Sequence, residues 1–109
     1  MKPYKRIIKY TKAPGKIPLD YIPDAFIYAA KKGKEYYILY ILSNHFDILC
    51  QYDYDYAFIN ACYNGNLSIA KMLLRKCSES AIIDGYNWAD CKNFLEMKKF
   101  LQGVYAPGR

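Results

Sequence analysis

The 109-residue sequence predicts an all-α protein, a short solenoid of about three helix-turn-helix units preceded by a basic N-terminal arm. The first observation is an internal repeat. Residues 25–42, AFIYAAKKGKEYYILYIL, return at residues 57–74 as AFINACYNGNLSIAKMLL, with a glycine at the same place. The second is a weaker copy at residues 86–102, YNWADCKNFLEMKKFLQ, in which asparagine replaces that glycine. Offsets of 32 and 28 residues between the copies are typical of stacked repeat units.

The first unit begins with the residues IPD at positions 22–24. Proline suits the first position of a helix and an acid suits its first turn, so a helix is expected to start here. Gly33 is expected to end that helix in a left-handed conformation, which glycine adopts at no steric cost. A second helix is predicted from Tyr36 to Leu42. A tight turn joins the two helices, which must therefore be antiparallel.

The middle unit shows the clearest helical pattern. Ala57, Phe58, Ala61 and Cys62 form one apolar face of a helix of about two turns, and the small residues among them permit close approach of a neighbouring helix. Gly65 then marks the turn before a second apolar helix that ends near Leu74. In the third unit Asn93 stands at the glycine position, and asparagine is the non-glycine residue that best tolerates positive φ.

The arrangement of helix, glycine turn and second helix, at a period near 33 residues, resembles the ankyrin repeat family. Tetratricopeptide units have longer helices, and armadillo-type units have a longer period. The resemblance implies a repeat domain at residues 20–109 behind an arm at residues 1–19. Its units are expected at residues 22–50, 54–80 and 84–103. The matching positions of the first two units are Phe26, Ala29, Ala30, Gly33, Tyr37, Ile38, Ile41 and Leu42, and Phe58, Ala61, Cys62, Gly65, Leu67, Ile69, Ala70, Lys71, Leu73 and Leu74.

Two parts of the family pattern are replaced in this chain. Its Thr-Pro-Leu-His opening is replaced by PDAF at residues 23–26 and DYAF at residues 55–58. In place of a β-hairpin finger, the connector is SNHFDILCQYDYD at residues 43–55. Degenerate repeats rich in Tyr, Asn, Ile and Lys are also similar to those of large DNA viruses. Independently, no apolar run is long enough to span a bilayer and the N-terminus is a poor secretory signal, so a soluble intracellular protein is expected, in the host cytoplasm if it is viral.

The sequence contains no convincing catalytic or cofactor-binding set. His45 is the single histidine, so a base–nucleophile pair would have to use it, and Cys50 is the nearest cysteine along the chain. The four cysteines lack the close pairs of a zinc site, and we expect them to be reduced. There is no phosphate loop or dinucleotide fingerprint, and no apolar run is long enough to span a bilayer. We therefore expect no enzyme activity, cofactor, metal, small-molecule substrate or membrane partner.

The family resemblance implies that the first helices and the neighbouring loops bind a protein partner. The residues at the exposed ends of these helices are expected to contact it: Lys31, Lys32, Tyr63, Asn64 and Lys92. The stretch QYDYDYAF, residues 51–58, adds Tyr52 and Tyr54. If the stretch is extended, its tyrosines share one face and suit an interface. Alternatively, these rings cover the gap between units one and two. Trp88 either caps the array or lies in the groove.

The arm suggests an alternative function. The net charge is +6, and residues 1–16 hold six basic residues and no acid. The arm is either a solvated leader or a contact for nucleic acid or an acidic partner. In the latter case the protein is a nucleic-acid-associated accessory, and the contacting residues would be Lys2, Lys5, Arg6, Lys9 and Lys12.

Overall fold

The computed structural model describes residues 17–104, which hold six α-helices and no strand. Three short 3₁₀ turns, at residues 19–21, 46–48 and 74–76, accompany them. The predicted all-α fold class is confirmed. The helices are α1 (Ile22–Lys32), α2 (Glu35–Asn44), α3 (Gln51–Tyr63), α4 (Leu67–Leu73), α5 (Glu79–Cys91) and α6 (Leu95–Gln102).

The helices form three pairs, each joined by a turn of left-handed backbone. Gly33 between α1 and α2 has φ 75°, Gly65 between α3 and α4 has φ 74°, and Asn93 between α5 and α6 has φ 59°. A residue with a Cβ is sterically strained at positive φ, and asparagine is strained less than most other residues. The same reversal thus ends the first helix of every pair.

The first helices α1, α3 and α5 lie side by side in one layer and run in the same direction. Near their beginnings, Phe26 of α1 meets Tyr54 of α3 edge to face, with ring centroids 5.6 Å apart. Between α3 and α5 the close approach is at Gly85. A Cβ added to Gly85 would lie 2.8 Å from both Cys62 Sγ and Phe58 Cε2, so only glycine fits there without a shift. One continuous apolar core runs through the three pairs.

A second set of contacts joins each turn to the next. Asn66 follows Gly65, and its side chain lies against Gly33 of the preceding pair. Its amide Nδ2 donates to the carbonyl oxygens of Ala30 at 2.7 Å and Lys31 at 3.2 Å, which belong to the last turn of α1. The next pair repeats the placement with an aromatic ring, because Phe94 lies against Gly65. The residue after each turn therefore covers the glycine of the preceding unit.

Two helices are longer than the sequence predicted. The helix of the middle unit begins at Gln51 and has 13 residues, so the estimate of two turns is wrong, as is the extended reading of residues 51–58. The cause is a local cap, in which the buried Asp53 carboxylate accepts a hydrogen bond from the backbone N–H of Cys50 at 2.9 Å. In the third unit the helix begins at Glu79, where Ser78 Oγ caps it by accepting from the N–H of Ala81.

The outer side of the third pair is polar. Asp90 and Tyr86 stand where the middle unit has Cys62 and Phe58, the two residues that contact the following unit. The side chains of Asp90 and Tyr86 instead contact residues of α6. Lys98 forms an ion pair with Asp90 at 2.7 Å, and Gln102 contacts the Tyr86 hydroxyl at 3.2 Å. We call these four residues the outer polar edge.

Candidate functional site

The exposed surface of α1, α3 and α5 carries a concentration of aromatic side chains, and we call it the first-helix face. On α3, Tyr52, Tyr56, Ile59 and Tyr63 are spaced by three or four residues, which places them in one row along the helix. The three tyrosines are 64%, 43% and 39% exposed. Tyr52 and Tyr56 stack, with ring centroids 5.5 Å apart and an angle of 18° between the rings.

Trp88 of α5 extends this row onto the neighbouring helix. Its ring meets Tyr63 edge to face, at a centroid distance of 4.8 Å and an angle of 83°. On Tyr63, Lys92 Nζ lies 4.4 Å from the ring centroid, a cation–π contact. Trp88 remains 42% exposed and lines a depression with Tyr56 and Tyr63 of α3, which agrees with the second predicted alternative, a place in the groove.

Between α3 and α5 these side chains line two open depressions that lie next to each other. One, about 290 Å³, is bordered by Tyr56, Ile59, Asn60, Tyr63 and Trp88. The other, about 190 Å³, shares Tyr56 and Ile59 and is lined further by Tyr52, Asp55, Ser80, Ala81 and Asp84. We call the two depressions together the aromatic groove. It combines aromatic walls with two carboxylates at one end.

Charge is distributed unevenly along the first-helix face. Acids stand near the beginnings of the three helices, with Asp24 on α1 and Asp84 in the first half of α5. Bases stand at the ends of the helices, where Lys31, Lys32 and Lys92 are exposed. This order agrees with the helix dipoles. It also gives the aromatic groove an acidic end and a basic end.

The predicted contact residues are not all brought together in the aromatic groove. Tyr63 and Lys92 come together in the groove, whereas Lys31 and Lys32 lie at the end of α1. Asn64 is exposed at the end of α3, where its amide donates to the carbonyl of Asn60.

Tyr54 requires a correction, because its side chain is 9% exposed and packs against Phe26. Burial, and then the nearby Asp53 carboxylate, raise the pKa of its phenol. The helical conformation is the physical reason: in a strand, Tyr52, Tyr54 and Tyr56 would share a face, but on a helix Tyr54 points away from the other two. Tyr54 therefore belongs to the core between units one and two.

Asp55 holds the beginnings of α3 and α5 together below the groove. Its carboxylate accepts hydrogen bonds from the backbone N–H of Ser78 at 2.8 Å and from its hydroxyl at 2.7 Å. Gln51 Nε2 also donates to this carboxylate, at 2.8 Å, and to the carbonyl of Lys76. Burial by itself raises the pKa of Asp55, but the hydrogen bonds from Ser78 and Gln51 outweigh it and hold the pKa below its ordinary value.

The remaining candidates for chemistry are dispersed. Among residues 17–104, no three His, Cys, Asp or Glu side chains come together to hold a metal ion. The ring of His45 lies 5.7 Å from that of Tyr40. The four cysteines are free, and burial raises the pKa of the Cys62 thiol to about 12. The suggested arm contacts, Lys2, Lys5, Arg6, Lys9 and Lys12, lie outside the described residues.

Stacked helix pairs with one shared core and an exposed layer of first helices define a helical repeat protein. Residues 26–74 match the family model described as "Ankyrin repeats (many copies)", which identifies this segment of the chain as ankyrin repeats. The match covers most of the first two pairs. No curated protein and no solved structure gave a match. None of the helices in the described range has the length and apolar content needed to cross a bilayer.

Proposed function

We propose that the chain is a non-enzymatic interaction module that binds a protein partner on its first-helix face, through the aromatic groove. Ankyrin repeats are generally protein–protein interaction modules and are typically non-enzymatic. The observation that carries the proposal for this chain is the row formed by Tyr52, Tyr56, Tyr63 and Trp88. All four rings are at least 39% exposed, yet each is paired with another ring in a defined geometry.

Such a row suits binding for a physical reason. Tyrosine and tryptophan offer a large contact area and lose little conformational entropy when they bind, because they have only two rotatable side-chain bonds. Pairing of the rings lowers that cost further, because part of it is already paid on folding. Asn64, Lys31 and Lys32 are proposed to contribute polar contacts at the rim, where the contribution of each residue to the binding energy is small.

The free cysteines suit a reducing compartment, such as the cytoplasm of a cell or of an infected host cell.

The test is affinity capture with the full chain and matched variants. The double variant Tyr56→Ala/Trp88→Ala removes the centre of the groove. Tyr36→Ala is the control, because Tyr36 is 69% exposed on α2, away from the first-helix face. We expect a set of proteins captured equally by the wild type and by the control, and lost with the double variant. Equal capture by all three would overturn the proposal.

The arm is tested in the same experiment. Replacement of its five contact candidates, Lys2, Lys5, Arg6, Lys9 and Lys12, by glutamine leaves the groove intact. Capture through the groove should survive this change. If capture instead disappears with the arm charges, and if nuclease treatment also abolishes it, the nucleic-acid alternative is supported instead.

A further inference from the structure

The acidic end of the aromatic groove contains two carboxylates in different situations. Asp55 is occupied by its hydrogen bonds from Ser78 and Gln51. Asp84 is exposed, and its carboxylate makes no hydrogen bond or ion pair with the described residues. It lines the part of the groove that also contains Tyr56. The carboxylate of Asp84 is therefore available to a cationic group that enters the groove.

The aromatic walls favour the same kind of group. Tyr56 and Trp88 border the groove from two different helices, and aromatic faces attract cations through their quadrupoles. A guanidinium is planar, stacks on aromatic rings and is more weakly hydrated than an ammonium, so it gains more from such a site. A hydrocarbon side chain would use the rings but not the carboxylate.

The opposite end of the groove excludes a cation. Lys92 already occupies a face of Tyr63, at 4.4 Å from its centroid. A second positive charge near this position would be repelled, whereas an acidic group would be attracted. The charge pattern thus orients the occupant: its basic group belongs near Asp84, and an acidic group is acceptable near Lys92.

From these contacts we infer that the occupant of the aromatic groove is an extended segment of a protein partner that inserts an arginine between Tyr56 and Trp88, with its guanidinium directed to Asp84. This inference rests on the proposed function, because it names the class of partner segment at the same site. The arginine supplies the contact with the rings, and Asp84 selects arginine over an apolar side chain.

Trp88 provides a direct measurement, because it is the single tryptophan of the chain. The full protein is titrated with capped heptapeptides of glycine and serine that carry Arg, Leu or Glu at the centre, and its fluorescence is followed. We expect saturable change with the Arg peptide, at least threefold weaker binding of the Leu peptide, and no binding of the Glu peptide. Binding of the Arg peptide should weaken as salt rises from 50 to 500 mM, because screening reduces its attraction to Asp84.

Three variants keep the reporter, and two of them test the contacts separately. Asp84→Asn should weaken the Arg peptide about two- to fivefold, the range of exposed ion pairs, and leave the Leu peptide unchanged. Glu96→Gln is the matched control, since it removes one exposed negative charge from α6. It should change the affinity of neither the Arg peptide nor the Leu peptide. Tyr56→Leu should weaken the Arg peptide by about two- to fivefold as well. Circular dichroism confirms that each variant is folded.

Four results would overturn the inference, and the first two are distinct from failure of the proposed function. The first is equal binding of the Arg and Leu peptides, and the second is an Asp84→Asn variant that retains full affinity for arginine. The third is a tenfold gain in affinity for the Arg peptide when the basic residues of the arm are replaced by glutamine. This result would mean that the arm of the same chain occupies the groove. The fourth is a Trp88 signal that changes with protein concentration alone, which would assign it to a second copy. The capture experiment could still succeed in the first two cases.

Discussion

The side chain of Asn66 lies against Gly33, the turn glycine of the preceding unit, so closely that a Cβ on Gly33 would be 3.2 Å from Asn66 Oδ1. From this position the Asn66 amide bonds two carbonyl groups at the end of α1. The last carbonyls of a helix have no partner within it and need one from elsewhere. A single side chain thus ties the second unit to the first.

Asn66→Ala is therefore expected to lower the free energy of unfolding by about 1–2 kcal/mol, since it leaves the carbonyl of Ala30 without this donor. Urea denaturation followed by circular dichroism measures the change. Asn64→Ala is the control. Its amide bonds only the carbonyl of Asn60 in its own helix, so the expected change is within about 0.5 kcal/mol. Equal effects of the two substitutions would contradict the proposed tie between units.

Gly33→Ala should also destabilise the protein, by about 1–2 kcal/mol, because alanine is strained at positive φ. The new Cβ would in addition press on Asn66. Gly103→Ala is a suitable control, since Gly103 has φ −71° and ordinary contact distances. There alanine should be neutral or stabilising by up to about 1 kcal/mol. Thermal unfolding of both variants distinguishes the outcomes, and an unchanged midpoint for Gly33→Ala would refute the strain argument.

Gly85→Ala tests the close approach of α3 and α5. In an open helix this change stabilises by up to about 1 kcal/mol. Here the methyl group meets Cys62 and Phe58, which are fully buried, and overpacking should give a net loss of about 1–3 kcal/mol. The double variant Gly85→Ala/Cys62→Ala should be more stable than the sum of the single effects predicts, because Cys62→Ala removes one clashing atom. Strict additivity in the double-mutant cycle would show that no clash exists.

The hydrogen bonds to Asp55 predict a dependence of stability on pH. Its pKa is lowered in the folded protein, so its contribution is complete above the unfolded value and is lost as pH falls through the folded pKa. The stability difference between wild type and Asp55→Asn should accordingly be largest near pH 7, begin to shrink as the pH approaches 3.8, the ordinary value, and disappear only below the lowered pKa of the folded protein. Denaturation series at several pH values measure it.

The control for that series is Asp84→Asn. The carboxylate of Asp84 accepts no hydrogen bond from the described residues, so its removal should cost little stability at pH 7. A pH-independent difference for Asp55→Asn would contradict the assigned role of its hydrogen bonds.

The cysteines should react in two groups of two. Cys50 and Cys91 are exposed, whereas Cys62 is buried and Cys77 partly so. Burial raises the pKa of the Cys62 thiol to about 12, and burial together with the Asp55 and Cys62 charges raises that of Cys77 further. Only the thiolate is nucleophilic. Iodoacetamide at pH 7.5 should therefore modify two thiols of the folded protein and four in denaturant, as counted by mass. Rapid modification of Cys62 without denaturant would be incompatible with this packing.

The sequence predicted the helix pairs because their main determinants are local. A glycine or asparagine that tolerates positive φ, flanked by apolar residues at helical spacing, is visible at Gly33, Gly65 and Asn93 without any knowledge of the neighbours. The family match at residues 26–74 agrees with this prediction.

The beginnings of two helices and much of the groove were not predictable in the same way. Alternating tyrosine and aspartate at residues 52–56 has the period of a strand, whereas the cap made by Asp53 and the packing of Tyr54 against Phe26 favour the helix. Gly85 gave no sign of its role, because the atoms that exclude a side chain belong to another unit. The exposure of Trp88 likewise depends on its position beside Tyr63, which spacing along one helix cannot reveal.

The outer polar edge has a consequence for assembly. Where the middle unit offers its neighbour the thiol of Cys62 and the ring of Phe58, the third pair presents the Lys98–Asp90 ion pair and the Tyr86 hydroxyl. A second molecule approaching this end would have to strip water from charges that already satisfy one another, and would gain little apolar contact in return. Growth of the protein into filaments, end upon end, is therefore disfavoured at this surface.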